Sequence, residues 1–106
     1  MTKFLKKIYF GVDNLQVAHF FSKSKARQFE KIIQAARAHH RLLITYLKKN
    51  GYKVSREIRP YSYKDGYLYA TDNKDSKNHI KSYRLKCIKT VKIMKETFTP
   101  MWKVEL

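Results

Sequence analysis

The stretch IIQAARAHHRLLITYLKKNG, residues 32–51, decides how this chain is read. Its first half continues a helical pattern: Phe29, Ile32, Ile33, Ala36 and His40 fall at i, i+3, i+4, i+7 spacing, while Lys23, Arg27, Lys31 and Gln34 gather on another side. Near Arg41 the period drops to two, the spacing of a strand whose successive side chains point to opposite faces. The chain therefore changes from helix to strand here. Residues 22–41 are expected to form one helix with an apolar face on the core and a basic face in water. Ser22 or Ser24 serves as its N-cap, although neither is followed three positions later by the acid of a capping box.

Downstream, RLLITYLK, YKVSREIR, GYLYATD, HIKSYRLK and CIKTVKIMK read as short β-rich runs. They are separated by the turn signals KNG at 49–51, KDG at 64–66 and NKDSKN at 73–78. Strands this closely spaced after one helix predict an α+β fold, the helix packed on a small antiparallel β-barrel over residues 42–106. No helical crossover separates the strands, which argues against a parallel sheet. Pro60 has no N–H for a ladder and should end or bend the second strand. Residues 1–21 form an N-terminal extension ahead of the domain at 22–106. Within that extension KFLKKIYF fits a strand or a short helix, and NLQVAHFF fits an early start of the main helix.

At 106 residues the chain suits a single core, which at this size buries roughly two-thirds of the unfolded surface. A 43% hydrophobic and 14% aromatic content excludes a disordered basic tail. The formal charge of +16 repels itself in the compact state, and an acidic partner relieves it. Nucleic acid is the commonest such partner. Cys87 stands alone, so an internal disulfide is excluded, a reducing compartment such as the bacterial cytoplasm is implied, and the residue reads as a small member of the core. No apolar run reaches the roughly 18 residues of a membrane span, and the N-terminus lacks a secretory leader pattern.

Taken in order, these runs resemble a WYL domain, an Sm- or SH3-like β-barrel of bacterial transcription regulators and defence proteins. IIQAARAHHRLLITYLKKNG is similar to the family's opening helix and first strand, with Tyr46 at its usual tyrosine. REIRPYSY resembles the Arg-x-x-x-Pro-Tyr segment through Arg56, Pro60 and Tyr61. GYLYATD resembles the segment that names the family, Tyr67 and Leu68 taking its Tyr and Leu. SYRLKCIKTV is similar to the strand with an aromatic, Arg and Leu, and ETFTP to the closing element, so the likeness covers about residues 33–100. Three features depart from the family pattern. Gly66 stands where the family has tryptophan, Lys86 and Cys87 replace an Asp-Arg pair, and no helix-turn-helix pattern precedes the domain. The resemblance implies a standalone module rather than a classical repressor.

What the resemblance implies is a ligand-sensing or nucleic-acid-binding barrel, and composition points separately to nucleic acid. Arg56, Arg59, Arg84 and Lys86 supply cations for phosphate; Tyr61, Tyr67, Tyr69 and Tyr83 supply faces on which unpaired bases stack. That combination favours single-stranded DNA or RNA over a duplex, whose grooves call for a helix or ribbon. Arg84 is the first choice for the site because its family position lines the ligand surface and its planar fork suits phosphate. An ion pair from Arg84 to Glu57 or Asp72 is its structural alternative. The competing function is a regulator that docks on an acidic partner protein, and strand edges rich in tyrosine allow a homodimer. Catalysis, a cofactor and a metal are not expected. His39 and His40 are adjacent on the expected helix and diverge, His19 and His79 are isolated, and Asp65, Asp72 and Asp75 fall near turns.

Overall fold

The computed structural model describes the backbone at residues 5–9 and 18–106, with side chains from residue 22 onward. Two short strands, β1 (Leu5–Tyr9) and β2 (Ala18–Ser22), pair antiparallel with Leu5 opposite Ser22 and Tyr9 opposite Ala18. KFLKKIYF is thus a strand over residues 5–9. The second half of NLQVAHFF belongs to β2 rather than to an early helix, and its first half lies outside the described residues. Both strands of the hairpin lie against the helix that follows.

Helix α1 (Lys23–Arg37) starts at Ser22, whose hydroxyl accepts from the Lys25 N–H at 3.3 Å. Its end corrects the sequence expectation of residue 41. Ala38 caps the last turn, His39 takes a left-handed φ of 57°, and His40 already belongs to the next strand. The two histidines therefore leave the helix; His40 Nδ1 instead meets the Met94 carbonyl at 2.8 Å. Apolar periodicity ran on across the break because His40, Leu42 and Ile44 continue an inward-facing row in strand form.

The main sheet has five antiparallel strands in the order β6-β5-β4-β3-β7: β3 (His40–Leu47), β4 (Lys53–Lys64), β5 (Tyr67–Asp72), β6 (Ile80–Arg84) and β7 (Ile88–Thr97). A one-turn 3-10 helix, Leu85–Cys87, separates the last two. The sheet is open, not the closed barrel expected from the strand spacing: among the described residues no ladder joins β6 to β7. In place of a ladder, the Arg84 backbone N–H donates to the Tyr46 hydroxyl at 3.2 Å, which ties the end of β6 to β3.

Pro60 does not end β4. The strand leaves β3 at Ile58 but stays paired with β5, and a register shift between Pro60 and Ser62 absorbs the proline as a bulge. Tyr61, the residue inside the shift, is turned to the C-terminal segment and packs edge-on against Phe98 and Trp102. The Tyr61 carbonyl accepts from the Glu105 N–H at 2.8 Å.

The core lies between α1 and one face of the sheet. Ala26, Phe29, Ile32, Ala35 and Ala36 of the helix meet Leu42, Ile44, Ile58, Leu68, Ala70 and Ile88. Phe29 stacks edge-to-face on Tyr63 with centroids 4.8 Å apart. Each fully buried Leu, Ile or Phe contributes about 1.5–3 kcal/mol of transfer free energy, and this is what opposes the repulsion of the excess cations. No helix among the described residues is long and apolar enough to cross a membrane.

Candidate nucleic-acid interface

Alternation along β5 splits GYLYATD into two faces. Leu68 and Ala70 are fully buried in the core, while Tyr67 and Tyr69 are half-buried on the other face. The register sets Tyr67 opposite Arg84 and Tyr69 opposite Ser82, so the two tyrosines and Arg84 share the face away from the core. Arg84 Nη2 donates to the Tyr67 hydroxyl at 2.9 Å, and its guanidinium carbon lies 5.5 Å from the ring centroid. The hydrogen bond to Tyr67 raises the Arg84 pKa further, so the group stays charged at any pH of interest. Among the described residues Arg84 makes no ion pair; neither Glu57 nor Asp72 reaches it.

Those two acids are taken by other arginines. Arg41 Nη1 pairs with Glu57 at 3.2 Å. Arg56 Nε lies 3.6 Å from Asp72 Oδ2, and Arg59 Nη2 donates to the Asp72 carbonyl at 3.0 Å. Asp72 ends β5 where Tyr67 begins it, five residues or roughly 17 Å away along the strand. Arg56 and Arg59 are thus engaged at the Asp72 end of β5, Arg56 with the carboxylate and Arg59 with the backbone carbonyl. The structure does not bring them into one site with Arg84.

Tyr83 and Tyr61 are likewise not presented. Tyr83 opposes Leu68, is 7% exposed and packs edge-on against Tyr46 at 5.4 Å; Tyr61 is 4% exposed. Neither ring offers a face to a base. For Tyr83 the signal was in the sequence, because adjacent residues of a strand cannot both point to one face, and choosing Arg84 excludes Tyr83. Burial, with the Asp72 carboxylate adding, pushes the Tyr83 phenol up to about 12.

Tyr67 and Arg84 form the wall between two clefts. One, of about 420 Å³, is bounded by Tyr63, Asp65, Gly66 and Leu85, with Lys25 and Lys86 as its cations. The other, of about 620 Å³, runs past Tyr46, Leu47, Asn50, Ser82 and Cys87, with Lys48 and Lys49 on its edge and no carboxylate. Lys86 is exposed beside Arg84, as expected, but on the 3-10 turn rather than on a strand. Cys87 is half-buried on the second cleft instead of within the core, because the same turn rotates it out of the strand alternation.

Lys25 escaped the sequence reading. Its ammonium donates to Gln28 Oε1 at 2.8 Å, to the Leu85 carbonyl at 3.0 Å and to the Ile88 carbonyl at 2.9 Å, stapling the first turn of α1 to the turn that carries Arg84 and Lys86. All three of its protons are engaged, so it acts on the cleft through charge alone. Burial, and then Lys89 nearby, lowers its pKa. No spacing in the sequence announces a contact across sixty residues. Lys48 ends the run RLLITYLK and Lys49 opens the turn KNG; that this corner meets Tyr67 and Arg84 follows from the packing of the sheet.

Among the described residues no group of three or more His, Cys, Asp or Glu side chains could hold a metal ion. The candidate site is thus a tyrosine-arginine ridge between two clefts that each carry lysines. The family model described as WYL domain matches residues 27–93, more than half of the chain, and the chain belongs to that family. Among solved structures it is similar to Proteasome accessory factor B/C (PafBC) of Arthrobacter aurescens, with a TM-score of 0.56 and 20% sequence identity. That similarity covers 71% of this chain and 12% of the other, and at this identity it speaks for the fold alone. No curated protein matches the chain.

Proposed function

We propose that this chain is a nucleic-acid-binding regulatory module, with single-stranded DNA or RNA as its preferred partner, in a bacterial or phage regulation or defence system. Its WYL membership supports the regulatory part of this reading. The observation that carries the nucleic-acid part is the Tyr67–Arg84 pair between clefts edged by Lys48, Lys49 and Lys86. Cations spaced along a groove hold the phosphate backbone, and an aromatic face between them stacks an unpaired base for about 1–3 kcal/mol. Glu57 and Asp72 are committed elsewhere, to Arg41 and Arg56, so the second cleft carries no carboxylate and the first carries Asp65 against Lys25, Arg84 and Lys86. A flat ridge between clefts suits single strands, since nothing on this face has the shape of a groove-reading helix.

A second reading, docking of an acidic partner protein, draws support from Met101 and Trp102, both well exposed beyond β7. Fluorescence anisotropy with labelled single-stranded DNA and RNA, from low to physiological salt, separates the two. The nucleic-acid reading expects binding whose logarithm falls linearly with the logarithm of salt concentration, with a slope equivalent to several phosphates. Affinity weaker than millimolar at every salt concentration leaves the protein-docking reading in front.

A further inference from the structure

We infer that the cleft beside the Asp65–Gly66 turn receives a single unstacked nucleobase, that the base meets the Asp65 carboxylate edge-on, and that guanine is therefore favoured. This inference rests on the nucleic-acid reading above and adds a base preference to it. The cleft holds about 420 Å³, enough for one nucleotide unit and too little for a stacked run. Its floor is apolar and firm, since Tyr63 and Leu85 are both buried. Gly66 keeps it open: its φ of +88° is one that L side chains rarely adopt, and a Cβ there would meet nothing within 4 Å. The space beside the turn is thus empty by construction and bounded on one side by the Tyr67 ring.

Charge sorts what can enter. Arg84 and Lys86 attract phosphate on their side, while the Asp65 carboxylate repels it and accepts hydrogen bonds from donors, which on a base edge are N–H groups. The backbone that carries Asp65 at the mouth of the cleft is fixed, because Asp65 and Gly66 both have positive φ, as a type I′ hairpin turn requires, and the Gly66 carbonyl accepts from the Leu85 N–H at 2.9 Å. Of the four bases, guanine alone presents an imino and an amino N–H side by side, matching the two oxygens of a carboxylate. Adenine and cytosine offer an amino group beside an acceptor that the carboxylate repels; uracil and thymine offer one N–H between two carbonyls.

Anisotropy with labelled single-stranded RNA hexamers tests this: six uridines, the same strand with one uridine replaced by guanosine, by inosine or by adenosine, each against the native chain and Asp65→Asn. Asparagine suits a left-handed turn before glycine, so the variant keeps the hairpin. The guanosine strand should bind about tenfold tighter than the uridine hexamer, a difference of about 1.4 kcal/mol. Inosine, which lacks the amino group, should lose most of that gain, and adenosine should show less than about a threefold gain. Asp65→Asn should abolish the guanosine advantage while the uridine hexamer binds at least as tightly as it does to the native chain, since a charge that repels phosphate has gone. Equal affinity for all four hexamers, or a guanosine advantage that survives Asp65→Asn, overturns the base pocket while the nucleic-acid reading stands. No binding by any hexamer overturns both.

Discussion

Arg84 and Tyr67 stand directly opposite each other on adjacent antiparallel strands, joined by a 2.9 Å hydrogen bond from guanidinium to phenol. That bond uses one of five guanidinium donors, so the arginine is held in position with most of its fork unspent. The ring, in turn, is braced at its hydroxyl. A ligand finds both groups already oriented and gives up less conformational freedom on binding than two loose side chains would demand.

Arg84→Ala and Tyr67→Ala should each weaken oligonucleotide binding by about 1–3 kcal/mol, the arginine through a lost charge-assisted bond and the tyrosine through lost stacking. Both side chains lie on the free face, so urea midpoints should move little. In a double-mutant cycle by anisotropy the two losses should fall short of additive, because each residue orients the other. Strictly additive losses would show that the pair does not act as a unit.

Leu68→Ala should do the reverse. Leu68 sits next to Tyr67 but points into the core with no exposed surface. Its truncation opens a cavity in the core cluster, beside its ladder neighbours Tyr63 and Tyr83, and is expected to lower stability by about 2–5 kcal/mol in urea unfolding. Protein that remains folded should bind oligonucleotide as the native chain does.

Lys25→Met keeps the length of the side chain and removes its three hydrogen bonds, so that the Ile88 carbonyl loses the ammonium and the Leu85 carbonyl keeps only the Ile88 N–H. A destabilisation of about 1–3 kcal/mol is expected. Amide hydrogen exchange should quicken first across the 3-10 turn, and an unchanged exchange rate there would show that the staple is dispensable.

Tyr83 makes stability sensitive to alkali. Its phenol loses its proton near pH 10 in the unfolded chain and near 12 when folded. Between those values the folded state binds more protons, so stability falls as pH rises across that window, by up to roughly 3 kcal/mol in all. Below pH 10 the contribution is fully present. Burial raises the Tyr63 phenol as well, in the same direction. Urea midpoints measured from pH 9 to 12 should decline for the native chain and decline less for Tyr83→Phe.

Local pattern was enough to narrow the helix cap to Ser22 or Ser24 and to place the change of period before Leu42, the Asp65–Gly66 turn and the division of β5 into a Leu68 face and a Tyr67 face. Each depends on residues a few positions apart, where backbone geometry alone dictates which side chains coincide. The Tyr67–Arg84 pair was legible too, once the two strands were taken as neighbours. The rest depended on contacts between segments distant in sequence. Register decided that Asp72 would bind Arg56 and Arg59 and so remove them from the site. The bulge at Pro60 turned Tyr61 toward Phe98 and Trp102, and the short turn after Arg84 left the sheet open. Lys25 became a staple because α1 packs where Leu85 and Ile88 expose their carbonyls. Alternation says which residues share a face of one strand; only the assembled sheet, with its register and bulges, says which charges of different strands meet, because that is settled by the packing of the whole core.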